Sequence, residues 1–414
     1  KSHLQTESGP VAAALEAQPG LPEVQPERVS ACGVSASAAA EPMANIFNYS
    51  LKELESYLQW LGKEKFRARQ LFQWIYQKRV YNFEEMSNIA KAFRAELPSK
   101  FEFRLPKAVQ ELKSVDGTRK WLFDVGGGLT VETVLIPSND RLTLCVSSEV
   151  GCNMACRFCY TGTQKMKRRL TAADIVGQFL HAQERLAKDG LRVTNIVFMG
   201  MGEPLDNPEA VFRAIEILRE ADGIGFSRKK ITVSTSGIVP MISKVTEAGV
   251  RLAVSLNAPN DQIRDQVMPI NRRWKLKELL QACRDHARET NDHVTLEYVL
   301  LKGITDSVEQ ARELYDLTRN VPCKINIIPF NEHPGTSYRR PSDEQVLRFQ
   351  EELIQLGAHV LLRRTMGRDI FAACGQLTSQ YQGRPETLAE AKASQRLADA
   401  PETKLRNQHQ FQLT

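Results

Sequence analysis

The stretch "SEVGCNMACRFCYTGTQ" (Ser148–Gln164) contains three cysteines with the spacing C-x3-C-x2-C. A structural zinc site normally has four protein ligands, and neither a second C-x2-C pair nor a nearby histidine follows this one. A dithiol redox pair would need the last two cysteines alone. An iron–sulfur cluster with three cysteine ligands would keep one iron open for chemistry, and this interpretation accounts for all three thiols.

The residues that follow predict alternating strands and helices. We expect strands at "TNIVFMG", "KKITVSTS", "RLAVSLN", "VTLEYVLL", "KINIIPF" and "HVLLRR", after a first strand at "RLTLCVSS". Helical patterns start at Thr171, Pro208, Val239, Leu276, Asp306 and Ser342, and the last two starts carry capping-box signals. Repeated strand–helix units indicate a parallel sheet with helices outside. Six units are too few for a closed eight-stranded barrel, so we predict an α/β fold, an open, partial (β/α)6 barrel with functional residues at the C-terminal strand ends.

The 414 residues are enough for one large domain and a small accessory domain. We expect a disordered N-terminal extension over residues 1–42 and a small N-terminal helical accessory domain over residues 43–105. A strand-rich connector over residues 106–140 and the barrel core over residues 141–384 follow, and residues 385–414 are expected to be a polar C-terminal tail.

Composition narrows the class of protein further. No run of eighteen apolar residues predicts a transmembrane helix. The net charge of +6 permits a nucleic-acid partner without requiring one. Eight cysteines without a secretory signal, three of them in one loop, favour a metal or redox role in a reducing compartment over a disulfide framework. We therefore expect a cytoplasmic location.

The three-cysteine loop has an aromatic residue, Phe158, just before its last cysteine, and this pattern resembles that of the radical S-adenosylmethionine (SAM) superfamily. The resemblance implies that Cys152, Cys156 and Cys159 bind a [4Fe–4S] cluster whose fourth iron binds SAM. The strand ends "MGMGEP", "VSTSG", "VSLNAPND" and "INIIPFN" match the family positions that contact SAM. By this resemblance the SAM-binding residues are Gly202, Glu203, Ser234, Ser255, Leu256, Asn257 and Asn331.

Three further segments, "TLCVSSEVGC", "MPINRRW" and "AACGQL", resemble the RlmN/Cfr family of RNA adenosine methyltransferases, and the likeness extends from about residue 45 to 380. It implies methylation of adenine C2 in 23S rRNA and in tRNA next to the anticodon. Two SAM molecules per turnover are implied, together with an external, flavodoxin-like electron donor, a monomeric state and no membrane partner.

The same resemblance assigns catalytic roles to two outlying cysteines and one glutamate. Cys374 would receive a methyl group from one SAM, and radical chemistry with the second SAM would join that carbon to the adenine. Glu132 would remove the ring proton. Cys145 would then attack the Cys374 sulfur, which forms a disulfide bond and releases the methylated base. Cys32, Cys283 and Cys323 are expected to have no such role.

Basic residues near the predicted strand ends are candidates for RNA contacts. They lie at residues 165–169, 272–275, 339–340 and 363–368. Three alternatives stay open from the sequence: a related enzyme that methylates adenine C8, a radical SAM enzyme with a peptide or small-molecule substrate, and a non-enzymatic zinc-binding module.

Overall fold

The computed structural model describes residues 43–378. The expected extension (residues 1–42), the expected tail (residues 385–414) and Cys32 lie outside the described residues. The accessory segment and the barrel belong to the same compact unit.

Residues 43–105 are mainly helical and pack around an aromatic and aliphatic core. Their elements are β1 (Ala44–Asn45), α1 (Leu51–Trp60), α2 (Phe66–Phe72), a π-helical turn (Gln73–Gln77), α3 (Lys91–Glu96) and β2 (Phe101–Glu102). Ser50 and Glu53 form a capping box at the start of α1, and Leu54 and Leu58 of that helix are buried. The spacing of the apolar residues predicts amphipathic helices in this segment, and the structure has them.

The remaining strands, with one exception, form a single ten-stranded sheet. They are β3 (Lys107–Lys113), β4 (Arg119–Gly126), β5 (Leu129–Ser138), β6 (Arg141–Cys145), β9 (Asn195–Phe198), β10 (Ile231–Thr235), β11 (Arg251–Ser255), β12 (Val294–Leu300), β13 (Cys323–Pro329) and β14 (Val360–Leu362). The exception is a short hairpin of β7 (Glu149–Val150) and β8 (Arg168–Arg169), which lies within the loop after β6.

The order of strands in the large sheet is β14-β13-β12-β11-β10-β9-β6-β5-β4-β3. Pairing is parallel from β6 through β9 to β14 and antiparallel from β3 to β6. Strands β6 and β9–β13 are each followed by at least one helix, so six β/α units and a short last strand form the open barrel that the sequence predicts. The predicted connector strands β3–β5 continue the same sheet.

The outer helices are α4 (Ala172–Ala187), α5 (Pro208–Arg219), α6 (Ile242–Ala248), α7 (Asp261–Val267), α8 (Leu276–Thr290), α9 (Val308–Thr318) and α10 (Asp343–Gln355). Helix α4 begins with a capping box of Thr171 and Asp174. The capping box predicted at Asp306 was placed one residue too early, because Ser307 and Gln310 form it. Asp306 instead accepts a hydrogen bond from the amide of Gly303. No helix within residues 43–378 has the length and apolar character needed to cross a bilayer.

One glycine lets the accessory segment and the barrel pack closely. Gly177 lies on the buried face of α4, and a Cβ atom there would overlap the ring of Pro106, with Leu105 Cδ2 3.3 Å away. The chain between β2 and β3 therefore lies directly on the helix backbone, and no side chain fits between them.

We predict that Gly177→Ala destabilises the protein by about 1–2 kcal/mol, because overpacking outweighs the gain in helix propensity. Urea denaturation measures the difference. Glu184→Ala, on the exposed part of the same helix, serves as the control and should change stability by less than about 0.5 kcal/mol. A Gly177→Ala protein more stable than wild type would contradict the packing argument.

Candidate active site

A cavity lies at the C-terminal ends of the parallel strands, where the loops after β6, β9, β10, β11 and β13 meet. Ten of the residues that the sequence singles out line it: Cys152, Cys156, Cys159, Gly202, Glu203, Ser234, Ser255, Asn257, Asn331 and Cys374. Parallel strands bring these loops to one edge of the sheet even though the residues are far apart in sequence.

Three singled-out residues do not line this cavity. The Leu256 side chain is completely buried in the hydrophobic core and therefore cannot contact a ligand in the cavity. Glu132 and Cys145 are buried on strands β5 and β6.

The three loop cysteines are free thiols that border one cavity. In the part of the chain that the structure describes, no three His, Cys, Asp or Glu side chains converge tightly enough for a single metal ion. Burial, with the charges of neighbouring thiols, raises the pKa of Cys152 and Cys156, and burial also raises that of Cys159. Buried thiols become thiolates when bound cations compensate their charge. Three thiols that border one cavity without converging on a single point suit a group that contains several metal atoms. Each sulfur would bind a different metal atom, as in a metal cluster.

Glycine and glutamate shape the wall opposite these thiols. Gly202 has φ +97° and a Cβ there would lie 2.6 Å from Glu149 Cβ, so this position requires glycine. Glu203 is buried, and its carboxylate accepts hydrogen bonds from the amides of Ser236 (2.7 Å) and Leu205 (3.1 Å). Burial raises the pKa of Glu203, and these amides oppose the shift. The side chain joins two strand-end loops, while the surrounding backbone stays open to a ligand.

Arg264 fixes the loops after β10 and β11. Its guanidinium is completely buried and donates hydrogen bonds to the carbonyl oxygens of Leu256 (2.9 Å), Ser236 (2.6 Å) and Ser255 (3.0 Å), and to Asn271 Oδ1 (3.0 Å). Backbone carbonyls at the strand ends thus accept hydrogen bonds from the same guanidinium group.

Asn257 occupies the position where the resemblance suggests a SAM contact, and it also has a structural role. Its φ is +57°, in the left-handed region that asparagine tolerates. Its Oδ1 accepts a hydrogen bond from the Val299 amide (2.9 Å), and its Nδ2 lies 3.3 Å from the sulfur of Met268. The side chain therefore holds the ends of β11 and β12 together at the cavity wall.

The segment that carries Cys374 is bound to the cysteine loop by several hydrogen bonds. The Tyr160 amide donates to the Gly375 carbonyl (2.7 Å), and Thr161 Oγ1 donates to the Leu377 carbonyl (2.7 Å). Asn331 Nδ2 donates to the carbonyl of Cys374 itself (3.1 Å). These contacts place Cys374 on the cavity wall beside the three loop thiols.

Cys145 lies at the end of β6 and is close enough to Cys374 for their charges to interact. Burial raises the pKa of Cys145 to about 12, the Cys374 sulfur adds to the shift, and Arg363 opposes it. The pKa of Arg363 is itself raised, first by Cys374 and then by Glu297 and Cys145. Cys145 is therefore a neutral thiol at neutral pH in this arrangement, beside the half-buried guanidinium of Arg363.

Arg363 was predicted from sequence as part of a basic RNA-contacting cluster, and the structure places it in the wall of the cysteine cavity. Its side chain lines the cavity, and its Nη1 lies 3.9 Å from Glu297 Oε2. Asn326 Nδ2 donates to both oxygens of Glu297 (3.1 and 3.2 Å). The sequence offered a signal that we missed, since a glutamate within the apolar strand "TLEYVLL" must face a buried polar partner.

Glu132 forms a buried ion pair with Lys120, with Glu132 Oε1 2.7 Å from Lys120 Nζ. Its Oε2 accepts a hydrogen bond from the Thr378 amide (2.9 Å), and Lys120 Nζ also donates to the Phe371 carbonyl (3.1 Å). Burial raises the pKa of Glu132 and the lysine opposes the shift. The pair thus anchors both ends of the segment that carries Cys374.

The barrel and the three-cysteine cavity define a radical SAM protein, and residues 146–315 match the model of the radical SAM superfamily. A model described as the N-terminal domain of ribosomal RNA large subunit methyltransferases matches residues 44–103. Since radical SAM proteins use a [4Fe–4S] cluster and SAM, these are the cofactors of this chain.

Similar proteins narrow this class to one family. A dual-specificity RNA methyltransferase RlmN of Bdellovibrio bacteriovorus is 61% identical over 87% of this chain and 89% of its own length. An RlmN of Geotalea uraniireducens is 46% identical over 80% of this chain and 96% of its own length. The crystal structure of a radical SAM methyltransferase from Sphaerobacter thermophilus is 43% identical, with TM-score 0.77 over 82% of this chain and 100% of that one. The chain belongs to the RlmN family of radical SAM methyltransferases.

We predict that Arg264→Lys weakens SAM binding at least tenfold, because a lysine cannot satisfy all four acceptors and the strand-end loops lose their shared cation. Equilibrium dialysis of the cluster-loaded protein measures the affinity. Arg288→Lys, an exposed arginine on α8, is the control and should bind SAM as wild type does. Equal affinity for Arg264→Lys and wild type would show that the loops do not depend on this residue.

A pH-dependent effect on stability is expected from Glu149. Burial raises its pKa to about 8, the nearby Asp206 adds to the shift, and the Glu203 amide opposes it. The carboxyl group of Glu149 ionises near pH 4.5 in the unfolded chain. The protonated group therefore makes its full contribution to the stability of the fold below pH 4.5, and this contribution is lost as the pH rises through 8. Relative to Glu149→Gln, wild type should become progressively less stable in urea between pH 4.5 and 8. A constant difference across this range would refute the assignment.

Proposed function

We propose that this protein methylates C2 of an adenosine in 23S rRNA and in tRNA through a methylated Cys374. The observation that carries the proposal is the position of two outlying thiols, with Cys374 on the wall of the three-cysteine cavity and Cys145 beside it. The RlmN proteins that it resembles are named as dual-specificity RNA methyltransferases. When bound, the cluster and SAM supply the methyl group and the one-electron chemistry that an electron-poor carbon requires.

Cys152, Cys156 and Cys159 are the cluster ligands in this proposal, and the loops at Gly202, Ser234, Ser255 and Asn331 hold SAM against it. Asn331 has a second role, because it donates to the Cys374 carbonyl and so sets the position of the thiol. A nucleophile held at a fixed place beside the methyl donor avoids the entropy cost of bringing the two together.

Product release requires a reaction between two sulfurs. Cys145 loses its proton and attacks the Cys374 sulfur, and a sulfur–sulfur bond forms. The bond from Cys374 to the transferred carbon breaks, and that carbon keeps the electron pair and takes up a proton to become the methyl group. Arg363 stabilises the thiolate in this step, since its half-buried guanidinium lies near both cysteines and opposes the raised pKa of Cys145. An external, flavodoxin-like donor supplies electrons, and the protein acts as a monomer.

Glu132 is the base that we propose for the adenine ring proton. The described arrangement pairs it with Lys120 and the Thr378 amide, so it can act when the segment around Cys374 moves away and frees one oxygen. Burial raises its pKa, which favours uptake of a proton by this carboxylate.

RNA contacts at the mouth of the barrel come from exposed basic residues on loops at the C-terminal strand ends. Those residues are Lys165, Lys167, Arg272, Arg273, Arg339, Arg364 and Arg368. Arg168 and Arg340, also expected there, pair with Asp174 and Asp343 and are less available. The target base must leave its stack to reach the cavity.

The product distinguishes this activity from its alternatives. Purified, cluster-loaded protein is incubated with SAM, a reductant and either a 23S rRNA fragment or tRNA. Mass spectrometry of the digested RNA against both methyladenosine standards should show the C2 isomer from each substrate. The C8 isomer, or methylation of neither RNA, would refute the proposal.

We predict that Cys145→Ala accumulates as a covalent complex with its RNA, because no thiol remains to break the link from Cys374 to the base. A denaturing gel should show a shifted band that nuclease removes. Cys374→Ala should form no complex, and Cys323→Ala, a half-buried cysteine far from the cavity, should turn over as wild type does. Free methylated RNA from Cys145→Ala would exclude the two-cysteine mechanism.

A further inference from the structure

A second cavity lies at the opposite edge of the sheet from the proposed active site, where parallel strands begin. Its volume is about 500 Å³. Arg141 begins β6, Thr194 directly precedes β9, and Lys230 directly precedes β10, and all three line it. Tyr76 and Arg79 of the accessory segment complete the wall. The length of the strands separates this cavity from the cysteine cavity, so it is a distinct site.

Four exposed cations surround the cavity: Arg79, Arg141, Arg192 and Lys230. Asp140 is the single carboxylate among the lining residues. None of the four cations lies within 4.0 Å of a carboxylate oxygen in residues 43–378, whereas many other arginines of the barrel do. Like charges held together without counter-charges raise the local potential and attract an anion.

A buried polar atom is also left without a partner at this cavity. Tyr76 is 5% exposed, and its hydroxyl group is buried with no hydrogen-bond partner. Such a group costs free energy unless a ligand or water completes it. The aromatic rings of Phe179 and Phe226, which pack edge to face at 5.8 Å, also line the cavity. The cavity therefore combines cations and aromatic surface.

We propose that this second cavity binds a phosphate-bearing ligand of nucleotide size. A guanidinium group can donate two parallel hydrogen bonds to the oxygens of one phosphate, and Arg141 and Arg192 supply two such groups. The aromatic rings suit contact with a nucleobase. A volume of about 500 Å³ lies within the range of small-ligand pockets, whereas a single backbone phosphate on a flat surface would not need such a space. The ligand is either a free nucleotide or one nucleotide of an RNA strand, and both present the same chemistry.

Isothermal titration calorimetry of the cluster-loaded protein tests the proposal, with saturating SAM so that the first cavity is filled. The two probes are ADP and a uridine decamer, which contains no adenine. We expect at least one probe to bind, and we expect Arg141→Ala/Arg192→Ala to weaken that binding about a hundredfold, since each charge-assisted hydrogen bond contributes about tenfold.

Arg288→Ala/Arg319→Ala removes two exposed arginines from α8 and the end of α9 and has the same net charge as the first double variant, so it is the matched control and should bind as wild type does. Binding of ADP identifies a free nucleotide as the ligand source, and binding of the decamer alone identifies an RNA strand. If neither probe binds, if Arg141→Ala/Arg192→Ala binds as tightly as wild type, or if the control loses as much affinity, the proposal is overturned.

Discussion

The arrangement of the site depends on the hydrogen bonds that fasten the segment around Cys374 to the cysteine loop. This segment follows the last strand, β14, and has a short 3₁₀ turn and no strand partner to fix its course. Its carbonyls accept hydrogen bonds from Tyr160, Thr161 and Asn331, and its far end is held by Glu132. These bonds keep a thiol from a segment late in the chain next to thiols from the first loop of the barrel.

These hydrogen bonds are also of a kind that can break and form again while the barrel stays folded. They join the segment to two loops and to one strand side chain, through side chains and single amides, and none is part of a strand ladder. Elements held in this way open at lower free energy than the sheet beneath them. A methyl-carrying cysteine has to meet two partners in turn, first a methyl donor and then a base, so a segment that is fixed but can be released suits the proposed reaction.

Local patterns in the sequence predicted most of the fold and much of the site. The alternation of strand and helix patterns placed six units in a parallel sheet, and the cysteine spacing identified the loop where the cavity lies. What the sequence did not reveal depends on long-range pairing. Arg363 reads as a surface cation beside Arg364, because its place in the cavity wall depends on a long-range contact with Glu297 on a different strand. Likewise, the extension of the barrel sheet by β3–β5 follows from the pairing of β5 with β6, which no local period reports.

An open barrel has two free edges, and each could pair with a strand of another molecule. On one side, the antiparallel strands cover β6 and leave β3 outermost, with a register shift between Ala108 and Gln110 and lysines at both of its ends. On the other side, the outermost strand β14 is three residues long. An irregular, charged strand and a very short one are both poor templates for intermolecular pairing. The barrel can therefore stay open without becoming prone to aggregate through its edges.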